Sequence, residues 1–357
     1  MPKGEYLQYG GLALIEAIMM RSPNHYSVAC RAPNGEIVVK TESIEKTWIG
    51  RQKWLKLPFL RGSLAILDSM AIGNRAMKFS AEVQMDKKYA KPEDAEKEPK
   101  PEKPHKGLAK LYYNLPEAKR AKIEAQLEKH AIVVAVIVGL GMGFFVFNVI
   151  PNSVAELTKF AGVKNGTVIN YIAEFIKIFV FLGYVWGISF LPDIRKVFQY
   201  HGAEHKAINA LEAEQPLTME NCQAQTRLHP RCGTSFAIIV LLVGLVFMPL
   251  VPRYPITGKQ GNMLLDVPVR LLVEIAILPI ISGISYELLR IAGRLRNQAW
   301  VMMAFKPGLW TQLITTKEPE PEHVEVAITA LKEVLKAEGE PEPGSEPDPV
   351  TEPIPTV

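Results

Sequence analysis

Four apolar runs of about twenty residues each restrict what this chain can fold into: 131–150, 168–191, 233–251 and 271–289. About twenty apolar residues cross the ~30 Å hydrocarbon core as a helix. Only a helix or a closed barrel satisfies its own backbone groups there. The first run has Asn148 as its one polar residue, and Gly139, Gly141 and Gly143 offer a small-residue packing face. The second carries Glu174 and Lys177, three apart, and Glu274 in the fourth follows Arg270 by four. Those spacings predict ion pairs on helices. The alternative is a transport path, since intramembrane carboxylates are functional candidates. The fourth run is interrupted by Pro279 and Gly283 and ends near Glu287 and Arg290.

Basic residues orient the spans. Residues 108–130, 192–232 and 290–306 carry five, five and four Lys or Arg, against two each in 151–167 and 252–266. This bias places both termini and the 192–232 connection on the cytoplasmic side. The net charge is +4, but residues 337–357 hold six acids and no base, which leaves the rest at +10. Bases flanking apolar runs account for that excess, and no nucleic-acid partner is inferred. Three cysteines, Cys30, Cys222 and Cys232, are too few for a disulfide framework. The short apolar run 11–20 contains Glu16 and lacks the flanks of a signal peptide.

Outside the spans the chain divides by composition. Residues 1–85 form a small soluble α/β region. Asn34-Gly35 between the β-prone runs 26–31 and 36–40 predicts a hairpin. Residues 10–21 fit a strand or a short helix. Residues 58–79 read as an amphipathic helix, with Leu60, Leu64, Leu67 and Ala71 on its apolar face and Arg61, Asp68 and Arg75 as a polar stripe. Residues 86–107, with seven Lys, six acids and four Pro, form a disordered linker, followed by a charged helix over 110–129. Residues 108–306 make the membrane domain. Residues 307–336 are a cytoplasmic appendix whose helix starts at Pro321 and buries Val324, Ala327, Ile328, Leu331, Val334 and Leu335. Residues 337–357 are an acidic disordered tail. The expected fold is mainly α: a polytopic membrane protein with about four transmembrane helices and a small N-terminal region. The bilayer is its partner, and the tail or linker suits a protein partner.

The connection 192–232 carries the chemistry. His201-Gly202-Ala203-Glu204-His205 has the order H-x-x-E-H, on a helix that starts at Pro192-Asp193. At 100° per residue His201 and His205 fall on an arc with Ile194, Val197, Phe198 and Ile208. Glu204 borders that arc, and Arg195, Gln199, Lys206 and Asn209 lie largely opposite. Imidazoles on a buried face are costly unless paired or bound to metal. Two His at i and i+4 reach one Zn²⁺, and a neighbouring Glu serves as general base. His229 and Cys232 follow on a turn, and a return helix within 215–227, N-capped by Thr218, would bring them back. The expected ligands are therefore His201, His205, His229 and Cys232 around a divalent metal, zinc by its donor set, with Glu204 catalytic. Glu287, Glu16 and Arg21 are candidates to support the site. Four ligands would make it structural, and three would leave it open for catalysis.

The segments GGLALIEAIMMRSP (10–23), PFLRG (58–62), YHGAEHKAIN (200–209), HPRCGTSF (229–236), GISYELLR (283–290) and PGLWTQLITTKEP (307–319) resemble the YqhQ-like family. This is a bacterial family of multi-pass membrane proteins of unknown function, described as predicted metal-dependent enzymes. The resemblance implies a helical membrane core with an N-terminal soluble part, in a bacterial inner membrane. It makes His201, Glu204, His205, His229 and Cys232 the matching metal-motif positions. The family pattern has Gln where this chain has Leu12 and Gly where it has Ala17, so it implies no polar role at position 12. The expected function is a metal-dependent membrane hydrolase facing the cytoplasm. The alternative is a non-enzymatic scaffold or assembly factor held by a structural metal.

Overall fold

A computed structural model of the chain describes residues 9–44, 60–91, 116, 119, 134, 137–258, 263–295 and 298–344. It divides into two compact units, residues 1–90 with 182–357, and residues 91–181. The expected linker beyond residue 91, nearly all of the charged helix 110–129 and the tail beyond residue 344 lie outside the described residues.

Residues 10–21 form two strands, β1 (Gly10–Leu14) and β2 (Ala17–Arg21). With β3 (His25–Arg31) and β4 (Ile37–Ser43) they make an antiparallel meander in the order β1-β2-β3-β4. The expected hairpin joins β3 to β4, with Gly35 at φ 91°, where a side chain would be strained. β2 is apolar almost throughout because the sheet is covered on both sides. Successive side chains alternate between faces. Ile18, Met20 and Ala29 join the core formed by helices α4 (Pro192–Glu212) and α9 (Pro321–Glu338). Ala17, Met19, Val28 and Cys30 pack with Ile72, Ala76 and Val83 of α1 (Leu60–Met85). A strand buried on both faces loses the polar alternation that would have marked it in the sequence.

The buried face of α1 is rotated from the expected one. Asp68, Ile72, Ala76 and Ser80 are buried, while Leu67 and Ala71 are exposed. Asp68 turns inward because Arg21 of β2 meets it at 2.6 Å.

Among the described residues, four helices are long and apolar enough to cross a membrane. They are α2 (Ile137–Lys159), α3 (Gly166–Ile188), α6 (Gly233–Phe247, extended by a 3₁₀ turn to Leu250) and the segment Leu265–Ala292 of α7 (Met263–Arg294). α2 runs past Pro151, where the sequence predicts a loop. Pro151 cannot donate to the carbonyl four residues back, and the turn just before it, Phe145–Val149, widens into a π-helix. Both predicted ion pairs form: Lys177 with Glu174 and Arg270 with Glu274, each at 2.7 Å. The two carboxylates that motivated a transport path are thus committed to neighbours on their own helices.

The described residues of the larger unit include two further helices, α5 (Met219–Ala224) and α8 (Ala299–Thr315). α8 is a difference from the sequence expectation, which gives residues 290–306 only as a basic stretch after the fourth apolar run. It is apolar enough to pack along α6, with Gly308 in contact with Ser235 and Phe305 beside the cluster around Ile239.

α9 starts at Pro321 and ends with Gly339 in the left-handed region, φ 73°. Its predicted apolar face is buried except Ile328, which is half-buried. The first acids of the tail are engaged: Glu340 accepts from Tyr9, and Glu342 meets Lys332. Glu338 accepts from the Ser22 hydroxyl at 2.5 Å, from the main-chain and side-chain N–H of Asn24 at 2.8 and 3.1 Å, and from His25 Nδ1 at 3.1 Å. Burial alone would push this carboxyl up, but the hydrogen bonds together outweigh it and hold it at about 2. A carboxyl held below its ordinary 4.5 stabilises the fold above that pH, and the contribution is lost as pH falls toward about 2. Glu338→Ala is therefore expected to cost about 2 kcal/mol near neutrality. The deficit should shrink between pH 4.5 and 2 in denaturant titrations; a pH-independent deficit would refute this account.

Candidate metal centre

The motif helix α4 is buried nearly all round from Tyr200 to Leu211. Tyr200, Ala203, Ala207 and Leu211 face the sheet and α9. Small residues let other segments approach closely. The carbonyl of Lys317 sits where a Cβ on Gly202 would be, and the Lys317 N–H donates to Phe198 O at 2.8 Å. That crossing strand covers the side expected to be polar. Lys206 is only 4% exposed there, bonded to the Gln223 carbonyl and to Glu318 at 2.7 Å each.

His201 and His205 project from α4 with ring centroids 4.4 Å apart. His201 Nδ1 lies 2.9 Å from the Thr315 carbonyl, and His205 Nδ1 2.6 Å from the Arg227 carbonyl. A carbonyl only accepts, so this network assigns the ring proton to Nδ1 in both. Nε2 is left in each as a lone pair, the form that binds metal. The expected return helix is α5, capped by Thr218, whose side chain accepts from the Asn221 N–H. It brings Cys232 back as the N-cap of α6, with Sγ 3.0 Å from His201 Nε2. One nitrogen of each imidazole and the Cys232 sulfur lie within 4.8 Å of one another. Two imidazoles and a thiol are a donor set that suits zinc.

His229 stands beside this group, not in it. Its ring is 5.6 Å from that of His205, and its Nε2 is 3.4 Å from Glu212, which also binds Arg231. Burial pushes its imidazole down to about 4, against the pull of Glu212. Its main chain is gripped by Gln312 of α8, fully buried. Gln312 Oε1 accepts from the His229 N–H at 2.8 Å, and Nε2 donates to the His229 carbonyl and to Ser235 Oγ, both at 2.7 Å.

Glu204 leans to the sheet side. It is 6% exposed, and its Cγ would be 2.7 Å from a Cβ at Gly11, whose amide hydrogen-bonds the carboxyl. Burial raises this carboxyl, opposed by His201 and that amide. Glu16, at φ 53° in the β1–β2 turn, binds Lys196 at 2.7 Å and the Tyr200 hydroxyl at 2.9 Å. Arg21 is taken by Asp68. Glu287 is half-buried on α7. None of these four supplies an atom to the three-atom group.

Sequence reasoning missed Gln312, Glu212 and the two carbonyls. Glu212 had a signal, since it follows His205 by seven residues and so shares its face of α4. Gln312 is a lone amide in an apolar segment. The carbonyls of Thr315 and Arg227 have none, because every residue carries one. Gln312→Ala would strand the His229 N–H and carbonyl and the Ser235 hydroxyl in a buried seam. It is expected to destabilise the protein by about 3 kcal/mol. A thermal midpoint equal to that of the parent would show that the clamp carries no weight.

The chain matches the family described as "protein of unknown function (DUF1385)" over residues 57–337. It is 36% identical over 334 residues to "uncharacterized protein YqhQ" of Bacillus subtilis (strain 168), covering 92% of this chain and 93% of that protein. No solved structure matches. Matched over most of its length by the family model and over nearly all of it by YqhQ, the chain belongs to this family of multi-pass membrane proteins.

Proposed function

We propose that the protein is a metal-dependent hydrolase of the bacterial cell membrane, with its site and both termini on the cytoplasmic side. The observation that carries this is the convergence of His201, His205 and Cys232, with both Nδ1 atoms already bonded to main-chain carbonyls. Three protein ligands with a fourth position open are the arrangement of catalytic zinc sites. Zinc bound there would lower the pKa of a water and polarise a carbonyl. In this reading His201 offers Nε2, which lies 3.0 Å from Cys232 Sγ, His205 offers a ring nitrogen, and Cys232 supplies the sulfur. Glu204 is the proton acceptor of this reading. It is the carboxylate within one turn of both histidines on the same helix, and its burial favours the protonated form it must reach. The Lys and Arg distribution supports the cytoplasmic placement.

The second reading is a scaffold clamped by a structural metal. Its support is the His229 ring, 5.6 Å from that of His205 and near enough to close the site as a fourth ligand. The acidic tail or the charged linker would then engage a protein partner.

Metal analysis of the purified protein is expected to find about one zinc per chain, reduced about tenfold or more in His201→Ala and Cys232→Ala. Metal-free wild-type protein would remove both readings. Glu204→Gln separates them. A hydrolase should keep its metal and lose p-nitrophenyl ester hydrolysis by about 10²–10⁴-fold. Unchanged turnover in Glu204→Gln would sink the proton-acceptor role, and a metal-loaded wild type without turnover would leave the scaffold.

A further inference from the structure

An apolar cleft of about 320 Å³ lies between α6, α7 and α8. Its walls include Ile239, Val243 and Val246 of α6, Leu288 of α7, and Phe305 and Gly308 of α8. The volume is at the lower end of ligand pockets. Nearly every lining side chain is hydrocarbon, so nothing here selects a polar ligand. Val246 is 59% exposed and Leu288 39%, so the cleft continues into the outer surface of helices long enough to span a bilayer. What meets that surface in a membrane is lipid chain.

The cleft is in line with the candidate metal centre. Ile239 is seven residues along α6 from Cys232, about 10 Å at ~1.5 Å per residue. Gly308 is seven residues along α8 from Thr315, whose carbonyl holds His201, again about 10 Å. Two independent helices thus set the same offset. Between cleft and centre the α6–α8 seam turns polar, with Ser235, Gln312, Thr234 and Thr315 bonded to one another. In the sequence, exposed Lys306 lies between the lining residues Phe305 and Pro307, and exposed Arg290 follows the lining residue Leu288 by two. The order along these helices is hydrocarbon, hydroxyl and amide, then imidazole and thiol, and two cations, Arg290 and Lys306, are carried on α7 and α8. A glycerophospholipid has the same order of chain, ester and anionic head.

We propose that this cleft seats a fatty-acyl chain of an anionic membrane phospholipid. Resting on the hydrolase reading above, the substrate class of the site is then the acyl ester of such a lipid. Water adds across the ester's acyl carbon–oxygen bond, the acyl carbon keeps the hydroxyl, and the freed alcohol takes the proton. No oxidant or second substrate is required.

The test uses full-length protein reconstituted into vesicles of equal phosphatidylglycerol and phosphatidylcholine, then extracted into dodecylmaltoside and washed. Retained lipid is counted by native mass spectrometry, with and without prior chelation of metal. About one phosphatidylglycerol per chain is expected in wild type, in both metal states. Val243→Trp, which fills the cleft, should retain at least about tenfold less. Val246→Trp, at the exposed mouth, should do the same and carries the test if Val243→Trp fails to elute as a folded species. Leu272→Trp, on an exposed face elsewhere on α7, should match wild type. Equal retention by wild type and the mouth variant would overturn the acyl site. Retention without preference for phosphatidylglycerol, or a preference unchanged in Arg290→Gln with Lys306→Gln, would overturn the anionic head. Lipid retained in the cleft but never cleaved by metal-loaded protein that still turns over p-nitrophenyl esters would overturn the substrate assignment alone. Loss of that turnover with lipid still retained would instead fault the hydrolase reading.

Discussion

A buried imidazole has two nitrogens to satisfy, and on α4 the main chain satisfies one of them for both histidines. Thr315 and Arg227 offer carbonyls to His201 and His205, and this fixes which nitrogen of each ring stays free. Two sets of contacts keep those carbonyls in place. Lys317 can pass over α4 only because residue 202 is glycine, and that passage holds Thr315 at the end of α8. Arg227 closes the other side, and its guanidinium donates to the Thr316 carbonyl at 2.9 Å, so the two carbonyl-bearing segments are tied to each other. The centre is preorganised by backbone, which reorients at greater cost than side chains do.

The same constraint couples the apolar helices to the N-terminal sheet. α6 begins at Cys232 and α8 ends at Thr315, so two apolar helices terminate in the residues that build the centre. Gln312 then pins the His229 loop to both. On the opposite side α4 lies on β1 and β2, where Glu204 meets Gly11 and Tyr200 meets Glu16. The motif helix is thus the layer between a β meander and a set of apolar helices, and its residues are divided between the two.

Much of this was legible in the sequence. Length and apolarity mark the spans, and a strict spacing marks the ion pairs. Asn34-Gly35, Thr218 and Pro321 mark a turn and two helix starts through backbone chemistry that hardly depends on tertiary context. His201 and His205 stand out because ligand-type residues are rare on a buried arc, and Cys232 because it follows His229 as a ligand-like pair on a turn. What was hidden had one of two causes. Where an element is covered on both sides, periodicity vanishes, as in β2 and the second half of α4, and helix and strand look alike. Where a distant partner decides the facing, local pattern misleads: Arg21 turns Asp68 inward, and Leu67 and Ala71 of α1 are left exposed. The position of Glu204 against Gly11 belongs to this second kind, because no spacing within α4 could have told which neighbour the carboxyl would meet.

The crossing of Lys317 over Gly202 also fixes when the centre can exist. His201 and His205 leave the ribosome more than a hundred residues before Thr315, and α6 and α7 are inserted in between. Until α8 has folded back along α6, the imidazole of His201 has no carbonyl to set its tautomer. α9 follows at once and buries its apolar face against β2 and β3, which precede α4 in the chain. The cluster therefore forms only after α8 is in place, and segments from before and after the motif helix are packed together around it.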